Sequence, residues 1–212
     1  MVYLPSGLIL PPNAYEMLGR FCREEYAYYD GVDSFDPFSV TPMDVLVTNS
    51  VNSFVNGAKR IRAVHRGLAG ACNPVLPHIR PDASLLDGAW PEEPLNRLLE
   101  AACSAKHVLL PVATKVLHRK RPQLIPMTDN VIIKHYLGQP GVNQAQSKTR
   151  AAAVGLDVIR MFRADLAACV EEVQGIKDRL ARDGYPLSEV RLFEILVWIS
   201  TEPVGHYRNG GA

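Results

Sequence analysis

Apolar residues recur at intervals of three or four along most of the chain, a spacing that predicts amphipathic helices. In residues 11–29 the apolar positions are Tyr15, Leu18, Phe21 and Cys22. The same spacing recurs in residues 41–72, 91–110, 112–120, 128–138, 144–184 and 186–200. No stretch alternates polar and apolar side chains as a half-buried strand does. The pattern therefore predicts an all-α helical bundle, in which residues 144–184 form one long helix or two consecutive helices. Residues 41–72 are predicted to form a long helix, with a break near Asn56 and Gly57 as the alternative.

Local signals mark where two of these helices begin. Thr41 precedes Pro42, and Asp44 follows three residues after Thr41. This order is typical of a capping box with proline in the first turn. In the segment 128–138, Thr128 or Asp129 is placed to cap the helix. Both helices therefore have a predicted starting point.

The length and composition fit one folded domain. With 212 residues, of which 47% are hydrophobic, the chain can bury one large core or two small ones. We expect a single domain over residues 1–212, in which the N- and C-terminal helices close one lobe around the basic middle of the chain. A bilobed domain is the alternative. No apolar run approaches the roughly 18–20 residues of a membrane helix, and the N-terminus lacks the features of a signal peptide. A cytoplasmic location without a membrane partner is therefore expected.

Charge is unevenly distributed although the net charge is only +1. Residues 1–44 contain two Lys or Arg against seven Asp or Glu, whereas residues 45–150 contain fourteen against six. A clustered positive field attracts anions more strongly than the total charge suggests. Two interpretations remain open: the basic middle presents a face to an anion, or acidic and basic segments pair within the fold.

The cysteines and histidines give no indication of a metal or cofactor. Cys22, Cys72, Cys103 and Cys169 are widely separated and form no C-x-x-C pair, and no histidine stands at metal-ligand spacing. Buried, reduced thiols are the expected state, because free cysteine is often buried. We expect neither a metal nor a cofactor.

Two groups of basic residues are candidates for contact with an anion or a nucleic acid. The first group shares one helix face at spacing i, i+3, i+7 and consists of Lys59, Arg62 and Arg66. The second group is consecutive and consists of His118, Arg119, Lys120 and Arg121. Such groups contact phosphates in nucleic-acid-binding proteins. A solvated helix face or structural ion pairs are the alternatives.

A polar stripe interrupts the apolar pattern of the helix predicted over residues 41–72. Asn49, Asn52 and Ser53 fall on one face at helical spacing, together with Asn56. Polar side chains on an otherwise apolar helix are a feature of ligand pockets. The stripe therefore predicts a pocket wall, with solvent exposure as the alternative.

Asp129 and Lys115 are the candidate catalytic pair. Asp129 is the only acid between Glu100 and Asp157, and Lys115 stands close to the basic run at residues 118–121. Helix capping by Asp129 and solvent exposure of Lys115 are the structural alternatives.

Two sequence stretches carry a resemblance to a known family. "LPVATK", residues 110–115, followed by "IPMTDNVIIKHY", residues 125–136, resembles the signature of helix-hairpin-helix DNA glycosylases, although the two glycines of their hairpin are not present. By this resemblance Lys115 corresponds to the lysine that attacks the sugar, and Asp129 to the aspartate that activates a nucleophile or stabilises the cationic sugar. The chain also resembles an uncharacterised actinobacterial family through "KVLHRKRPQLIPMTDNV" and "LSEVRLFEILVW".

These observations lead to three functional hypotheses. The first is a protein that acts on a nucleic acid or nucleotide, with cleavage of an N-glycosidic bond by Asp129 as the reaction and DNA or a nucleotide as the partner. The second is a non-catalytic nucleic-acid-binding or scaffold protein. The third is an enzyme that acts on a small anionic metabolite. The sequence does not indicate the oligomeric state.

Overall fold

A computed structural model describes residues 2–34, 36–138 and 148–201. These residues form nine α-helices and no strand, which confirms the all-α prediction. The only strand-like pairing among them is an isolated bridge between Tyr3 and Ile9. The helices are α1 Ala14–Glu25, α2 Pro42–Val47, α3 Ala58–Cys72, α4 Glu92–Ser104, α5 Leu110–His118, α6 Asn130–Leu137, α7 Lys148–Ala168, α8 Val170–Arg182 and α9 Glu189–Thr201.

The predicted capping box at the start of α2 is confirmed. The Thr41 hydroxyl accepts a hydrogen bond from the Asp44 amide at 3.3 Å, and the Asp44 carboxylate accepts one from the Thr41 amide at 2.8 Å. Two N–H groups that a helix start leaves without partners are thereby satisfied. The sequence alone located this helix start correctly.

The long helix predicted over residues 41–72 is interrupted, because the chain leaves the helix between α2 and α3. Helix α3 begins directly after Gly57, where the alternative placed a break. A 3-10 turn over Thr48–Val51 follows α2, and Asn52 and Phe54 then adopt positive φ angles of 60° and 54°. The Asn49 side chain bonds both the N–H and the C=O of Val55, at 2.8 and 3.0 Å. Short polar side chains offer the backbone such alternatives to helical bonds, so the polar stripe breaks the helix instead of lining it.

Between residues 148 and 184 the structure contains two helices, which was one of the two predicted alternatives. They meet at Cys169, between α7 and α8. The predicted segment also includes residues 144–147, which lie outside the described residues. The longer helix, α7, makes its most extensive contacts with α4 and also packs against α5 and α6.

Helix α9 passes through the interior. Phe193 and Leu196 are fully buried in it, and it packs against α1, α6 and α8. A helix that is apolar on all sides is stable only when it is surrounded by protein. Arg191 and Glu194 are nevertheless part of the same buried helix. No described helix combines the length and apolarity that a bilayer crossing requires.

Candidate functional site

A pair of threonines brings the two candidate catalytic residues together. Lys115 lies in α5, and Asp129 precedes the first residue of α6. Thr114 and Thr128, their immediate neighbours, are buried, and the Thr114 hydroxyl oxygen accepts hydrogen bonds from the Thr128 amide and hydroxyl, both at 3.1 Å. These bonds hold the end of α5 that carries Lys115 close to the start of α6 that carries Asp129.

Lys115 and Asp129 line the same pocket, which has a volume of about 520 Å³. Its walls come from the loop between α2 and α3, from α5, from the start of α6 and from α9. Phe54 and Leu109 line it with 67% and 40% of their surface exposed, so we place them at its mouth. The polar and aromatic side chains that matter for its chemistry are Lys115, Asp129, Glu194, Arg191, Asn52 and Trp198.

Lys115 is a buried pocket residue and not a solvent-facing one. Only 6% of its surface is exposed, and its Nζ donates a hydrogen bond to the Val51 carbonyl at 2.5 Å. Burial lowers the pKa of this amine, while the negative charges of Asp129 and Glu194 act in the opposite direction. Tyr29 holds the same helical turn, because its hydroxyl donates to the Lys115 carbonyl at 2.6 Å.

Asp129 is both a helix cap and a pocket residue. Its Oδ1 accepts hydrogen bonds from the amides of Val131 at 2.9 Å and Ile132 at 3.0 Å, as an N-cap does. Its Oδ2 has no hydrogen-bond partner among the described residues. The two interpretations offered by the sequence are therefore compatible, since one oxygen caps α6 while the other remains available to a ligand.

Glu194 is a third ionisable residue of the pocket, and the sequence analysis missed it. Its Oε2 accepts a hydrogen bond from Arg191 at 2.5 Å, and Oε1 has no hydrogen-bond partner within the described part of the chain. Burial raises the pKa of the Glu194 carboxyl to about 7, although Arg191 acts to lower it. A signal was present in the sequence, because "LFEILVW" places one carboxyl in a run of seven residues that is otherwise apolar.

Arg191 connects the pocket to the core. Its guanidinium forms a bidentate ion pair with Asp30, at 2.8 and 3.0 Å, in addition to its bond with Glu194. All three side chains of this network are at least nine-tenths buried. A single arginine therefore balances two carboxyls, which helps to explain why one of them holds a proton so readily.

The run at residues 118–121 does not form the predicted anion-binding surface. His118, Arg119, Lys120 and Arg121 are each at most 9% exposed. Lys120 contacts Asp44 at 2.5 Å, and Arg119 contacts the same carboxylate at 3.1 Å. The His118 ring shares a 2.7 Å hydrogen bond with the Ile125 carbonyl. Arg119 and Lys120 therefore pair with Asp44 in the acidic N-terminal part of the chain, which agrees with the alternative of structural ion pairs.

The contacts of Arg121 show why this basic run is buried. Its guanidinium is fully buried and donates to the carbonyls of Leu76, Ile79 and Pro37, at distances between 2.6 and 3.1 Å. Buried carbonyls need donors, and loops have no helical or sheet partners to supply them. Lys120 and Arg121 supply such donors, so their charged groups are engaged inside the fold.

The other predicted basic group remains at the surface. Lys59, Arg62 and Arg66 are exposed on α3. None of them forms an ion pair with any acid in the described ranges. They keep the expected accessibility to an anion, and their contact with one remains a prediction.

The polar stripe contributes to the pocket in part. Asn52 and Ser53 line it, whereas Asn49 bonds the backbone of Val55 and lies outside the lining. The Ser53 hydroxyl also donates to Asn49 and accepts a bond from Thr48. The predicted pocket wall is thus a loop fixed by Asn49 and not a helix face.

The four cysteines are free and buried, as the sequence indicated. Among the residues that the structure describes, no three His, Cys, Asp or Glu side chains form a group that could hold a metal ion. Burial raises the pKa of the thiols, for example to about 12 for Cys72, so they are poor nucleophiles.

Comparison with known proteins identifies the family. Residues 14–201 match the model of a family of unknown function, DUF6308, and the chain therefore belongs to that family. This agrees with the resemblance to an uncharacterised family, while the likeness to helix-hairpin-helix glycosylases remains a prediction. Searches of curated proteins and of solved structures returned no match.

Proposed function

We propose that this DUF6308 protein cleaves an N-glycosidic bond of a nucleoside unit bound in the pocket. The observation that carries the proposal is the convergence of Lys115, Asp129 and Glu194 on one cavity. Glycosidic bonds are usually broken by two carboxyls in one cavity, one of which donates a proton while the other stabilises positive charge or activates water.

The size and lining of the pocket suit a ligand of this class. Its volume of about 520 Å³ lies within the range of about 300–1,000 Å³ that is typical of small-molecule sites. Trp198 and Phe21 supply apolar surface for a flat base, and Asn52 and Asn130 supply amides for hydrogen bonds. A pocket of this size favours a single nucleoside unit over a stacked base pair.

The proposed reaction assigns one role to each carboxyl. Glu194, which binds its proton up to about pH 7, donates that proton to the leaving nitrogen of the base. The C1′–N bond breaks, and Asp129 stabilises the positive charge on the sugar. Asp129 then accepts a proton from the attacking water, whose oxygen forms the new C1′–O bond. Solvent returns this proton from Asp129 to Glu194.

Lys115 has two candidate roles in this scheme. Its amine, whose pKa is lowered by burial, is either a nucleophile toward the sugar or a contact for an anionic group of the ligand. Treatment with borohydride separates the two roles. A nucleophilic amine that forms an imine with the opened sugar leaves a reduced, covalent adduct on Lys115, whereas an anion contact leaves none.

The test is release of free base, measured by chromatography, from a panel of nucleosides, nucleotides and oligonucleotides. We expect Asp129→Asn to lower the rate at least about 100-fold and Glu194→Gln to lower it by a similar factor. Asparagine is as good an N-cap as aspartate, so the first variant keeps α6 intact. Glutamine has the shape of the protonated glutamate and still accepts a bond from Arg191.

Matched controls replace acids outside the pocket. Asp178→Asn and Glu172→Gln change exposed residues of α8 and should leave the rate unchanged. No base release from any member of the panel would overturn the proposal. Saturable nucleoside binding without release would then favour the non-catalytic alternative, and binding of small anionic metabolites alone would favour the third hypothesis.

A further inference from the structure

Helix α3 presents a row of cations directly opposite its buried face. Its fully buried residues are Val64, Leu68 and Cys72. At about 100° per residue, Lys59, Arg62 and Arg66 project from the opposite side. They extend along about 10 Å of the helix axis, at 1.5 Å per residue. We call these three residues the cationic face.

Within the described structure the cationic face forms no ion pair, although Arg62 donates a hydrogen bond to the Ala58 carbonyl of its own helix. Arg80 and Arg160, which are also at the surface, form ion pairs with Asp82 and Glu92. No residue of the cationic face forms such a pair with a described residue, and the chain has no acid between Asp44 and Asp82. The charges on this face therefore remain available to an external anion, unlike those at residues 118–121.

Two connections place the cationic face near the pocket mouth. The first residue of α3 follows only a few residues after Phe54, which lines the mouth. In the middle of α3, a Cβ added at Gly67 would lie 3.3 Å from the Cβ of Ala105 and 3.5 Å from the carbonyl of Lys106. The turn containing Lys106 leads directly to Leu109, the other exposed residue of the mouth.

Phe54 adds an aromatic surface to this face. Its side chain is 67% exposed although its backbone is held at φ 54°, a conformation that bulky residues rarely adopt. The bonds from Asn49 to Val55 fix the loop in this position. An exposed aromatic ring beside a row of cations is a combination that binds single-stranded nucleic acids, because bases stack on the ring while phosphates contact the cations.

We propose that a single-stranded nucleic acid binds across the cationic face, with one base against Phe54 at the pocket mouth. The row from Lys59 to Arg66 offers three cations, so it can contact up to three phosphates of one strand. The placement of that base in the pocket rests on the proposed function, whereas the binding itself does not. An acidic protein segment would use the charges but would have no need of the aromatic ring.

The test is fluorescence anisotropy of a labelled 12-nucleotide thymidine oligomer, measured from 50 to 300 mM KCl. For three phosphate contacts we expect log K to fall with log salt at a slope of about −2. The triple variant Lys59→Gln, Arg62→Gln, Arg66→Gln should bind at least about tenfold more weakly, with a slope near zero. Phe54→Ala should weaken binding about fivefold or more, with the slope unchanged.

The control triple variant Arg80→Gln, Arg160→Gln, Arg182→Gln removes the same charge from exposed positions outside α3. An equal loss of binding in this variant would overturn the proposal. Equal affinity for an acidic peptide, or tighter binding of a duplex than of the single strand, would also overturn it. Oligomer binding without base release would refute the proposed function alone, and release from free nucleosides without oligomer binding would refute the binding surface alone.

Discussion

Glu194 and His118 are buried ionisable residues that make the stability of the fold depend on pH in opposite directions. Burial raises the pKa of Glu194 from 4.5 to about 7 and lowers the pKa of His118 from 6.5 to about 4. The folded state therefore binds a proton on Glu194 that the unfolded state releases above pH 4.5. At His118 the unfolded state binds a proton that the folded state refuses.

The signs of the two contributions follow from this difference. The contribution of Glu194 is fully present below about pH 4.5 and is lost as the pH rises through about 7. The contribution of His118 is present above about pH 6.5 and is lost as the pH falls toward 4. The two slopes largely cancel between pH 4.5 and 6.5, so the wild-type protein alone conceals both.

We predict that the Glu194→Gln variant separates the contribution of Glu194 to stability from that of His118. The free energy of unfolding of the variant minus that of the wild type should rise by about 3 kcal/mol from pH 4.5 to 7.5, at 1.36 kcal/mol per pKa unit. Urea unfolding at a series of pH values measures this difference. The exposed Glu172→Gln variant serves as the control. A difference that stays constant or falls with pH would show that Glu194 does not hold its proton in the fold.

At the scale of elements, the segment after α5 shows how one run of residues joins several loops. Lys120 and Arg121 donate to carbonyls of residues 36 and 37 on one side, and Arg121 donates to Leu76 and Ile79 on the other. An arginine suits this position because its planar guanidinium has five donors in a fixed arrangement. The end of α5 is therefore a structural junction.

We predict that Arg121→Lys destabilises the protein by about 3 kcal/mol or more, although the charge is conserved. A lysine amine cannot reach all of the carbonyls, and each buried carbonyl left without a donor costs about 1–3 kcal/mol. Chemical denaturation measures the loss. Arg62→Lys on the exposed side of α3 is the matched control and should change stability by less than about 0.5 kcal/mol. Similar values for the two variants would contradict the junction.

Helix α9 packs against other helices of the core and also forms part of the pocket wall. It contacts α1 and α6, and it also carries Arg191 and Glu194 into the pocket wall. Its boundaries were predictable, since residues 186–200 carry a continuous apolar pattern and the structure places the helix at Glu189–Thr201. The contribution of α9 to the pocket was not predictable from the sequence, because a periodic pattern does not show which buried position faces a cavity.

At the scale of the whole molecule, one hydrophobic cluster extends from Leu4 near the N-terminus to Ile199 near the C-terminus. It includes residues from all nine described α-helices. A continuous core makes separate unfolding of its parts unfavourable, because each part would expose apolar surface of the other.

We predict that the chain unfolds in a single cooperative transition. The variant Trp90→Phe leaves Trp198, which lines the pocket, as the only tryptophan. Its fluorescence and the far-ultraviolet circular dichroism of all helices should give coincident thermal unfolding curves. A fluorescence change well below the main helical transition would show instead that the pocket region unfolds independently of the rest.

The sequence by itself determined the helical class, the capping box of α2 and the approximate extent of most helices, because these depend on the spacing of apolar residues and on local hydrogen bonds. The sequence also identified Lys115 and Asp129 as candidates. Asp129 was noticeable because no other acid lies between Glu100 and Asp157. Only the tertiary structure decided that residues 118–121 are buried, that Glu194 joins the pocket and that α3 keeps its cations exposed. The reason is that a charge has no preference for surface or interior until its partners are known, and those partners are distant in the chain.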